Sequence, residues 1–433
     1  MKIHHRNLPW PTLLLALALS GAHFLSASAQ SSTNWNTLTN WAQTSAPIED
    51  WQSIASSADG TKLAAAVYYG GIYTSTNAGA TWTQTSAPIA RDWISIASSW
   101  DGTKLATVNF DGGIYTSTNS GATWTQASAP PASWYAIASS SDGTKLAAGV
   151  LYGGIHTSTD SGATWTLTSA PSLQWVSIAS SSDGTKLAAA AFVGGIYTST
   201  NSGLTWIQST APGIDAPWTA LASSSDGAKL AAVDQYASGG WIFTSTDTGL
   251  TWAPNSAPME KWESVASSAD GTKLAAGVWN GGGIYSSTNS GETWTLTSAP
   301  NQNWISIASS LDGTRLAAVS YGSGIYTAQA AIQAVTAPTL GIVVTNDQVL
   351  LYWLANDGGV NSVLQSTACL TPPNWLLASD AVSANYGSFT AVWVSNSPSA
   401  RFFRLALAPP SSGGMGFVPA DSSTMRERTR SEK

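Results

Sequence analysis

A segment of about 42 residues recurs seven times and constrains the fold of this chain more than any other feature. The Trp that opens each copy stands at Trp51, Trp93, Trp134, Trp175, Trp218, Trp262 and Trp304, at intervals of 41 to 44 residues. In the copy at residues 175–212, Ser-Asp-Gly-Thr and Thr-Asn-Ser-Gly clusters separate four short segments that resemble strands. No segment shows the 3.6-residue period of a helical repeat. Four strands per repeat of this length predict an all-β fold, a β-propeller.

The two ends of the repeat region predict how the ring closes. The copy that opens at Trp304 stops after residues 324–327 and lacks a fourth strand. Residues 37–45 (TLTNWAQTS) match a fourth strand, with Trp41 in the expected place. We therefore predict a seven-bladed β-propeller over residues 30–328, whose last blade takes its outer strand from the N-terminal side and so hides two sheet edges.

Six copies also carry the pattern S-x-[DN]-x-G-x-x-W. Its four fixed positions are Ser75, Asn77, Gly79 and Trp82; Ser117, Asn119, Gly121 and Trp124; Ser158, Asp160, Gly162 and Trp165; Ser199, Asn201, Gly203 and Trp206; Ser245, Asp247, Gly249 and Trp252; and Ser287, Asn289, Gly291 and Trp294. The pattern resembles the Asp-box, or BNR repeat, of sialidases, sortilin-type receptors, plant xyloglucanases and photosystem II assembly factors. The resemblance covers about residues 37–327 and implies the propeller fold, but no single activity, because the superfamily includes enzymes and binding proteins.

The chemistry of the pattern favours a structural role. An Asn or Asp oxygen can accept backbone N–H bonds within its own turn, Gly permits a positive φ, and the Trp packs across the hairpin. Asn replaces Asp in four of the six copies, which argues against a general acid or a calcium ligand. We expect no metal site and no cofactor.

A second repeated hairpin has the form SSSDGTKLA. Its carboxylates are Asp59, Asp101, Asp142, Asp183, Asp226, Asp270 and Asp312. Asp-Gly is suited to a tight hairpin, and the Lys or Arg three residues later (Lys62 or Arg315, for example) is expected to be a solvated partner. A ring of seven carboxylates could bind a cation, but the adjacent basic ring makes a structural role the better interpretation.

Both repeated hairpins should lie on one side of the propeller, so the loops that differ between copies lie on the other side. These loops are rich in aromatic residues, with Asn, Gln and Asp among them, and loops on a rigid scaffold often carry function. Aromatic rings stack on sugars, whereas the alternative is that most of these rings fill gaps between blades. The candidate binding residues are Tyr68, Tyr69, Phe110, Tyr152, Asp215, Asp234, Tyr236, Trp279 and Tyr321.

The residues that known enzymes of this fold require are not recognisable. Sialidases clamp a carboxylate with three Arg, and the repeat region has only Arg91 and Arg315. Xyloglucanases of this type use two propellers and a pair of carboxylates. The variable loops offer Glu49, Asp50, Asp92, Asp111, Asp215, Asp234, Glu260 and Glu263, but no pair is distinguished. Photosystem assembly factors present an Arg patch that is absent here. We therefore predict no catalytic residues.

The N-terminal segment predicts export. Lys2 and Arg6 precede an apolar stretch at residues 13–19, and Ala27-Ser28-Ala29 resembles a cleavage site, so residues 1–29 are expected to be a signal peptide. A retained N-terminal anchor is the alternative. Without that segment the chain carries 15 basic and 24 acidic residues, a net charge of −9, which disfavours nucleic acid as a partner. Cys369 is the single cysteine, so no internal disulfide forms. We expect a secreted or periplasmic monomer with no membrane span after cleavage.

The sequence changes character after the repeats. Residues 329–338 are predicted to be a linker, residues 339–407 a small β-sandwich, and residues 408–433 a disordered tail. The run from Trp353 to Leu405 is similar to a C-terminal module of secreted bacterial proteins that has no assigned role.

Together these features predict an exported binding or scaffold propeller whose variable face engages a glycan or a protein. A glycan-acting hydrolase with an unrecognised carboxylate pair is the alternative. A surface-exposed structural protein without a small ligand is the third possibility.

Overall fold

The computed structural model describes residues 40–211 and 215–330 with their side chains, and elsewhere the backbone of separate strands. The chain divides into two compact parts. The first is Thr33–Ala331, and the second is Met1–Ser32 with Ile332–Lys433. The predicted signal peptide, linker, C-terminal tail and Cys369 lie largely or wholly outside the described residues. The described part contains no helix that is long and apolar enough to cross a membrane.

Within residues 40–211 and 215–330, the strands fall into seven antiparallel groups of four, which we call units 1 to 7 in chain order. Two additional pairings, of Leu63–Gly70 with Arg91–Ser98 and of Leu146–Gly153 with Leu173–Ser180, join units 1 and 2 and units 3 and 4. The strands of units 1 to 3 are Trp51–Ser56, Leu63–Gly70, Ile72–Ser75 and Thr83–Gln84; Arg91–Ser98, Leu105–Asn109, Gly113–Ser117 and Thr125–Gln126; and Trp134–Ser139, Leu146–Gly153, Ile155–Ser158 and Thr166–Leu167. The strands of units 4 to 6 are Leu173–Ser180, Leu187–Ala191, Gly195–Ser199 and Ile207–Gln208; Trp218–Ser223, Leu230–Asp234, Ile242–Ser245 and Ala253–Pro254; and Trp262–Ser267, Leu274–Val278, Ile284–Ser287 and Thr295–Leu296. Each unit thus follows the strand order that the repeat predicts.

Unit 7 takes its fourth strand from the N-terminal side of the repeat region, as predicted. Its strands Trp304–Ser309, Arg315–Ser320 and Ile325–Gln329 are followed in the sheet by Ala42–Gln43 from the other end of the repeat region. In this pairing Ala42 stands opposite Thr327, and Trp41 packs against Trp304 with ring centroids 6.1 Å apart. The strand is shorter than the predicted segment 37–45, of which residues 37–39 lie outside the described part.

The core is repeated between neighbouring units. The seven opening Trp side chains are completely buried. Each stacks edge-on against the aromatic residue of its unit's third strand, as Trp93 does on Tyr115 at 5.2 Å. In unit 3 that aromatic residue is His156, and burial lowers the pKa of its imidazole. Trp93 also packs on Ala64, Ala66 and Ile72 of the preceding unit, so the small residues of one sheet admit the indole of the next.

The first and last units contact each other in the same way. Trp51 of unit 1 packs in one cluster with Ala317, Val319 and Ile325 of unit 7. The Ile54 amide donates to Ser306 Oγ at 3.3 Å, across 252 positions of sequence. The packing between units therefore continues from unit 7 to unit 1.

The S-x-[DN]-x-G-x-x-W turns, called the Ser–Trp turns below, have the predicted hydrogen bonds. In unit 1, Asn77 Oδ1 accepts the Thr81 amide at 2.9 Å and the Ser75 hydroxyl at 2.9 Å, and Ser75 Oγ accepts the Gly79 amide at 2.9 Å. Asp160 accepts the same two bonds in unit 3. Gly79 has φ +88°, and a Cβ there would lie 2.9 Å from Thr327 of the neighbouring unit, so both conformation and space require glycine.

The indole of the Ser–Trp turn makes a hydrogen bond within its own turn in three units. Trp165, Trp252 and Trp294 each donate their N–H to the carbonyl of the glycine three residues earlier, at 3.0 to 3.1 Å. Trp124 and Trp206 donate instead to a threonine hydroxyl of the preceding unit. Either bond fixes the outer hairpin.

The second compact part of the chain, outside the seven units, contains two antiparallel sheets. One sheet contains His23–Leu25, Leu340–Val344, Gln348–Leu354, Phe389–Ser395 and Val382–Tyr386, in that order. The other contains Leu376–Leu377, Ser362–Thr367 and Phe402–Leu407. The predicted β-sandwich arrangement of this region stays a prediction.

Candidate functional site

The strand order gives the repeat region two different faces. The Asp-Gly hairpins and the Ser–Trp turns lie together on one side, where the Ala78 amide donates to the Thr61 carbonyl at 2.7 Å. We call this side the hairpin face. The loops between second and third strands and the connections between units lie on the opposite side, which we call the loop face. This division is the one that the sequence predicts.

A repeated backbone bond positions one residue per unit on the loop face. In each unit, one residue just beyond the buried part of the second strand donates its amide to the carbonyl of the residue before an opening Trp. In unit 1, the Tyr68 amide donates to the Asp50 carbonyl at 2.8 Å. The seven donors are Tyr68, Phe110, Leu151, Phe192, Gln235, Trp279 and Tyr321. Five of them are aromatic, and three of these five belong to units 6, 7 and 1, which are neighbours.

The three neighbouring aromatic residues and Tyr69 form two ring pairs on neighbouring units, which we together call the aromatic strip (Trp279, Tyr321, Tyr68 and Tyr69). The ring centroids of Trp279 and Tyr321 are 6.1 Å apart, and those of Tyr68 and Tyr69 are 4.7 Å apart, both edge-to-face. Tyr321 is among the groups that raise the pKa of Tyr68, after burial and Asp92. The four rings therefore share one patch of the loop face.

The strip presents aromatic surface to solvent. Tyr69 is 66% exposed and Tyr321 38% exposed, whereas Tyr68 and Trp279 are half-buried and support them. Tyr69 has φ +54°, a left-handed conformation that costs free energy for a bulky side chain. Strained residues of this kind are often found at functional sites.

Asp92 provides a polar group beside the strip. It stands opposite Tyr68 in the pairing of the strands of units 1 and 2, and its Oδ1 is buried with no hydrogen-bond partner in the described part of the chain. Burial raises the pKa of this carboxyl, and the nearby charge of Asp111 raises it further. The site thus combines exposed ring faces with a carboxyl beside them, one oxygen of which is buried and unpaired.

A second cluster of polar residues lies at the β-bulges of the opening strands. Each opening strand has a bulge directly after its Trp, and bulges re-aim side chains. Glu263 occupies this position in unit 6, and burial raises the pKa of its carboxyl to about 7. Gln235 Nε2 donates to Glu263 Oε2 at 3.3 Å. Tyr135 occupies the bulge of unit 3, and the Glu263 charge contributes, after burial, to raising the pKa of its hydroxyl.

The other predicted binding residues lie apart from the strip or serve the loops. Tyr152 is 75% exposed in unit 3, and Phe110 is half-buried in unit 2. Tyr236 is partly exposed in unit 5, where Asp234 and Asp215 contribute, after burial, to raising the pKa of its hydroxyl. Asp234 is only 2% exposed and accepts the Trp241 amide at 2.5 Å, so its carboxylate holds the loop.

Two features of the sites were missed by the sequence reasoning. Glu263 was one of eight candidate carboxylates, and only the bulge and the Gln235 contact distinguish it. The hairpin face has a pocket lined by serines from all seven units, although that face was interpreted as structural. The exceptional residues Trp100 and Leu311 in its repeated hairpins were the available signal. No group of three or more His, Cys, Asp or Glu that could hold a metal ion occurs among the described residues.

Comparison of the fold with solved structures shows similarity to β-propellers. YCF48 from Cyanidioschyzon merolae matches with a TM-score of 0.54 and 14% identity, over 67% of this chain and 98% of that one. A structure of YCF48 bound to D1 peptide matches with a TM-score of 0.54 and 13% identity, over 70% of this chain and 100% of that one. The described repeat region therefore has the β-propeller fold.

A glycoside hydrolase shares the same fold. The GH74 xyloglucanase from Xanthomonas campestris matches with a TM-score of 0.55 and 15% identity, over 74% of this chain and 60% of that one. No protein-family model matches the sequence, and no curated protein matches it. The similar structures thus include a peptide-binding propeller and an enzyme, and at these identities they establish the fold alone.

Proposed function

We propose that this chain is a seven-bladed Asp-box propeller that binds a glycan or a protein partner through its loop face. The observation that carries the proposal is the aromatic strip, two ring pairs of neighbouring units on the face where the repeats differ. The repeated backbone bond positions one residue per unit, and the neighbouring units 6, 7 and 1 all place an aromatic residue there. The YCF48 structure with a bound peptide supports binding as a role that this fold can perform.

A glycan fits the strip better than a peptide does. Exposed Tyr faces suit the C–H edges of sugar rings. The chain is acidic, with 24 acidic and 17 basic residues, which favours a neutral or cationic ligand over an anionic one. We therefore place neutral polysaccharides first among the ligands.

Affinity electrophoresis in native gels tests this proposal. Gels that contain soluble plant, bacterial or animal polysaccharides should retard the wild-type protein with at least one of them. Tyr321→Ala and Tyr69→Ala should weaken that retention by about three- to tenfold, the range expected for one aromatic contact. Tyr152→Ala is the matched control, because it removes an equally exposed Tyr outside the strip. Equal weakening by the control, or no retention by any glycan, would remove the glycan proposal.

Glycan hydrolysis is a second candidate, which the environment of Glu263 favours. A glycosidase needs one carboxyl that stays protonated near neutral pH, and burial raises the pKa of Glu263 to about 7. The GH74 similarity is compatible with this candidate. No second carboxylate is placed opposite Glu263 by a contact within the described residues, so binding remains the preferred function. Loss of sugar release in Glu263→Gln, with folding intact, would establish the enzyme.

We also propose that the protein is exported after cleavage near Ala29. The basic start, the apolar stretch at residues 13–19 and the small residues at 27–29 support this proposal. N-terminal sequencing of the protein recovered outside the cytoplasm should begin near Gln30. A protein that retains Met1 and stays with the cytoplasmic fraction would contradict it.

A further inference from the structure

The centre of the hairpin face is closed by a ring of backbone hydrogen bonds. In each unit, the residue before the hairpin Asp donates its amide to the carbonyl of the equivalent residue in the next unit. The bonds, of 2.6 to 2.8 Å, run through Ala58, Trp100, Ser141, Ser182, Ser225, Ala269 and Leu311 and return to Ala58. This ring fixes the rim of an opening at the middle of the seven units.

Inside the rim lies a pocket of about 160 Å³ that is lined mostly by serines. Seven of them, one per unit, end the opening strands: Ser56, Ser98, Ser139, Ser180, Ser223, Ser267 and Ser309. Such a volume holds about five water molecules, or one small organic group.

The pocket presents hydrogen-bond acceptors rather than donors. Each of the seven hydroxyls donates its proton to the carbonyl of the next residue, as from Ser56 to Ser57 at 2.9 Å. The amides of the following serines are also occupied, since Ser57 N donates to the Lys62 carbonyl, and the amides of the rim form the ring. The lone pairs of these seven hydroxyls remain as acceptors, and the rim hydroxyls of Ser141, Ser182 and Ser225 can rotate either to accept or to donate.

The basic side chains of the hairpins do not line this pocket. Lys62 Nζ donates to the Asp101 carbonyl at 2.8 Å, and Arg315 donates to the Asp59 carbonyl at 3.0 Å. The Asp carboxylates accept bonds within their own hairpins, and these bonds lower the pKa of Asp59 to about 2. Each hairpin carboxylate is matched by one basic side chain three residues later, so the charges of the hairpins offset one another. The attraction for a cation therefore rests on the acceptor oxygens of the pocket.

Two units depart from the repeat at the rim. The residue before the hairpin Asp is Ala or Ser in five units, but Trp100 in unit 2 and Leu311 in unit 7. Both residues line the pocket, and the Trp100 side chain is 61% exposed. An exposed indole face beside acceptor oxygens is a favourable position for an organic cation, which gains a cation–π contact there.

We propose that this pocket binds a primary ammonium group on an alkyl stem. The ammonium donates to the serine oxygens, and the stem lies against Trp100 and Leu311. A free alkylamine and a lysine side chain of a partner protein offer the same chemistry. The site is on the face opposite the aromatic strip, so it goes beyond the proposed function and does not depend on it.

Saturation-transfer NMR with the full chain tests this site. n-Butylammonium should bind, whereas 1-butanol, which has no charge, and tetramethylammonium, which has no N–H donor, should bind more weakly. Trp100→Ser installs the residue that units 3 to 5 carry, so the fold should be preserved, and it should weaken butylammonium binding by about three- to fivefold. Trp100→Phe should keep most of the affinity. Trp241→Ser removes another partly exposed indole, on the loop face, and should change nothing.

Three results would each overturn the proposal. They are binding of butanol equal to that of butylammonium, an unchanged butylammonium affinity in Trp100→Ser, and no butylammonium binding at all. If Nα-acetyl-lysine methylamide binds as well as butylammonium, the source is a lysine side chain. If only butylammonium binds, the ligand is a small amine. Neither result affects the glycan experiment, which reports on the loop face.

Discussion

The hairpin face and the loop face are made by the same seven units, yet their residues are used in opposite ways. On the hairpin face, almost every polar side chain is satisfied by a neighbour in its own turn or in the next unit, as Ser86 is by the Ala122 carbonyl at 2.9 Å. On the loop face, the same backbone bond in each unit positions a different side chain, from Gln235 to Trp279. Repetition therefore stabilises one face, and variation supplies chemistry on the other.

The difference shows how a repeat protein can carry a specific site without weakening its fold. The bonds that close the ring involve backbone atoms and the small residues of the hairpins, so side chains of the loop face are free to differ. The pocket with Trp100 is the exception, because there a substitution in the repeat itself changes the hairpin face. The comparison predicts that substitutions on the two faces separate stability from binding.

The largest effect should come from the buried repeat Trp. Trp93→Ala removes a completely buried indole that packs on two units, so the free energy of unfolding should fall by about 3–5 kcal/mol. Trp279→Ala, on the loop face, should cost about 1 kcal/mol because that indole is only half-buried. Urea unfolding followed by circular dichroism measures both free energies of unfolding. Similar losses of stability in the two variants would contradict the difference between the repeated core and the loop face.

Glu263 should make stability depend on pH. Because burial raises its carboxyl pKa from an ordinary value of 4.5 to about 7, the folded state holds a proton that the unfolded chain releases, and stability falls as pH rises through that window. Glu263→Gln should therefore stabilise the protein by about 1–3 kcal/mol at pH 8, relative to the wild type, and by little at pH 4. Urea midpoints at the two pH values give the difference.

The control for this prediction is Glu292→Gln, an exposed carboxylate in a Ser–Trp turn. This substitution should change the urea midpoint by the same amount at pH 8 and at pH 4. A pH-independent effect of Glu263→Gln would mean that its carboxyl is not held protonated by burial.

The Ser–Trp turns should show a smaller effect. Ser117→Ala removes the acceptor of the Gly121 amide and the donor to Asn119, so it should cost about 1–2 kcal/mol. Asn119→Asp should be nearly neutral, because Asp160 and Asp247 hold their turns with the same bonds. Thermal midpoints measure both. A large loss of ligand binding in Asn119→Asp, with stability retained, would give these turns a functional role.

The smallest effect on stability should come from Tyr69. Tyr69→Gly relieves a left-handed φ and should stabilise the protein by up to about 1 kcal/mol while it weakens ligand binding. Tyr152 has nearly the same φ, +59°, so Tyr152→Gly should stabilise to a similar extent and leave binding unchanged. A loss of stability in both variants would show that the two rings are part of the packing.

Much of this architecture was predictable because the repeat is local. Trp41 and the short strand after it were found from the missing fourth strand of unit 7, and the Asn77 turn from its hydrogen-bonding pattern. The position of Glu263 was not predictable, since it depends on a bulge that the alternation of a strand does not show. The Trp100 pocket needs seven hairpins to meet, and their contacts are tertiary.

Release of sugar tests the central claim, that this propeller binds rather than cleaves its ligand, most directly. Purified residues 30–433 would be incubated with the polysaccharides that retard the protein in native gels, and new reducing ends would be counted. We expect retention without release, and the same result for Glu263→Gln. Sustained release by the wild type that stops in Glu263→Gln would contradict the account and make the loop face an active site.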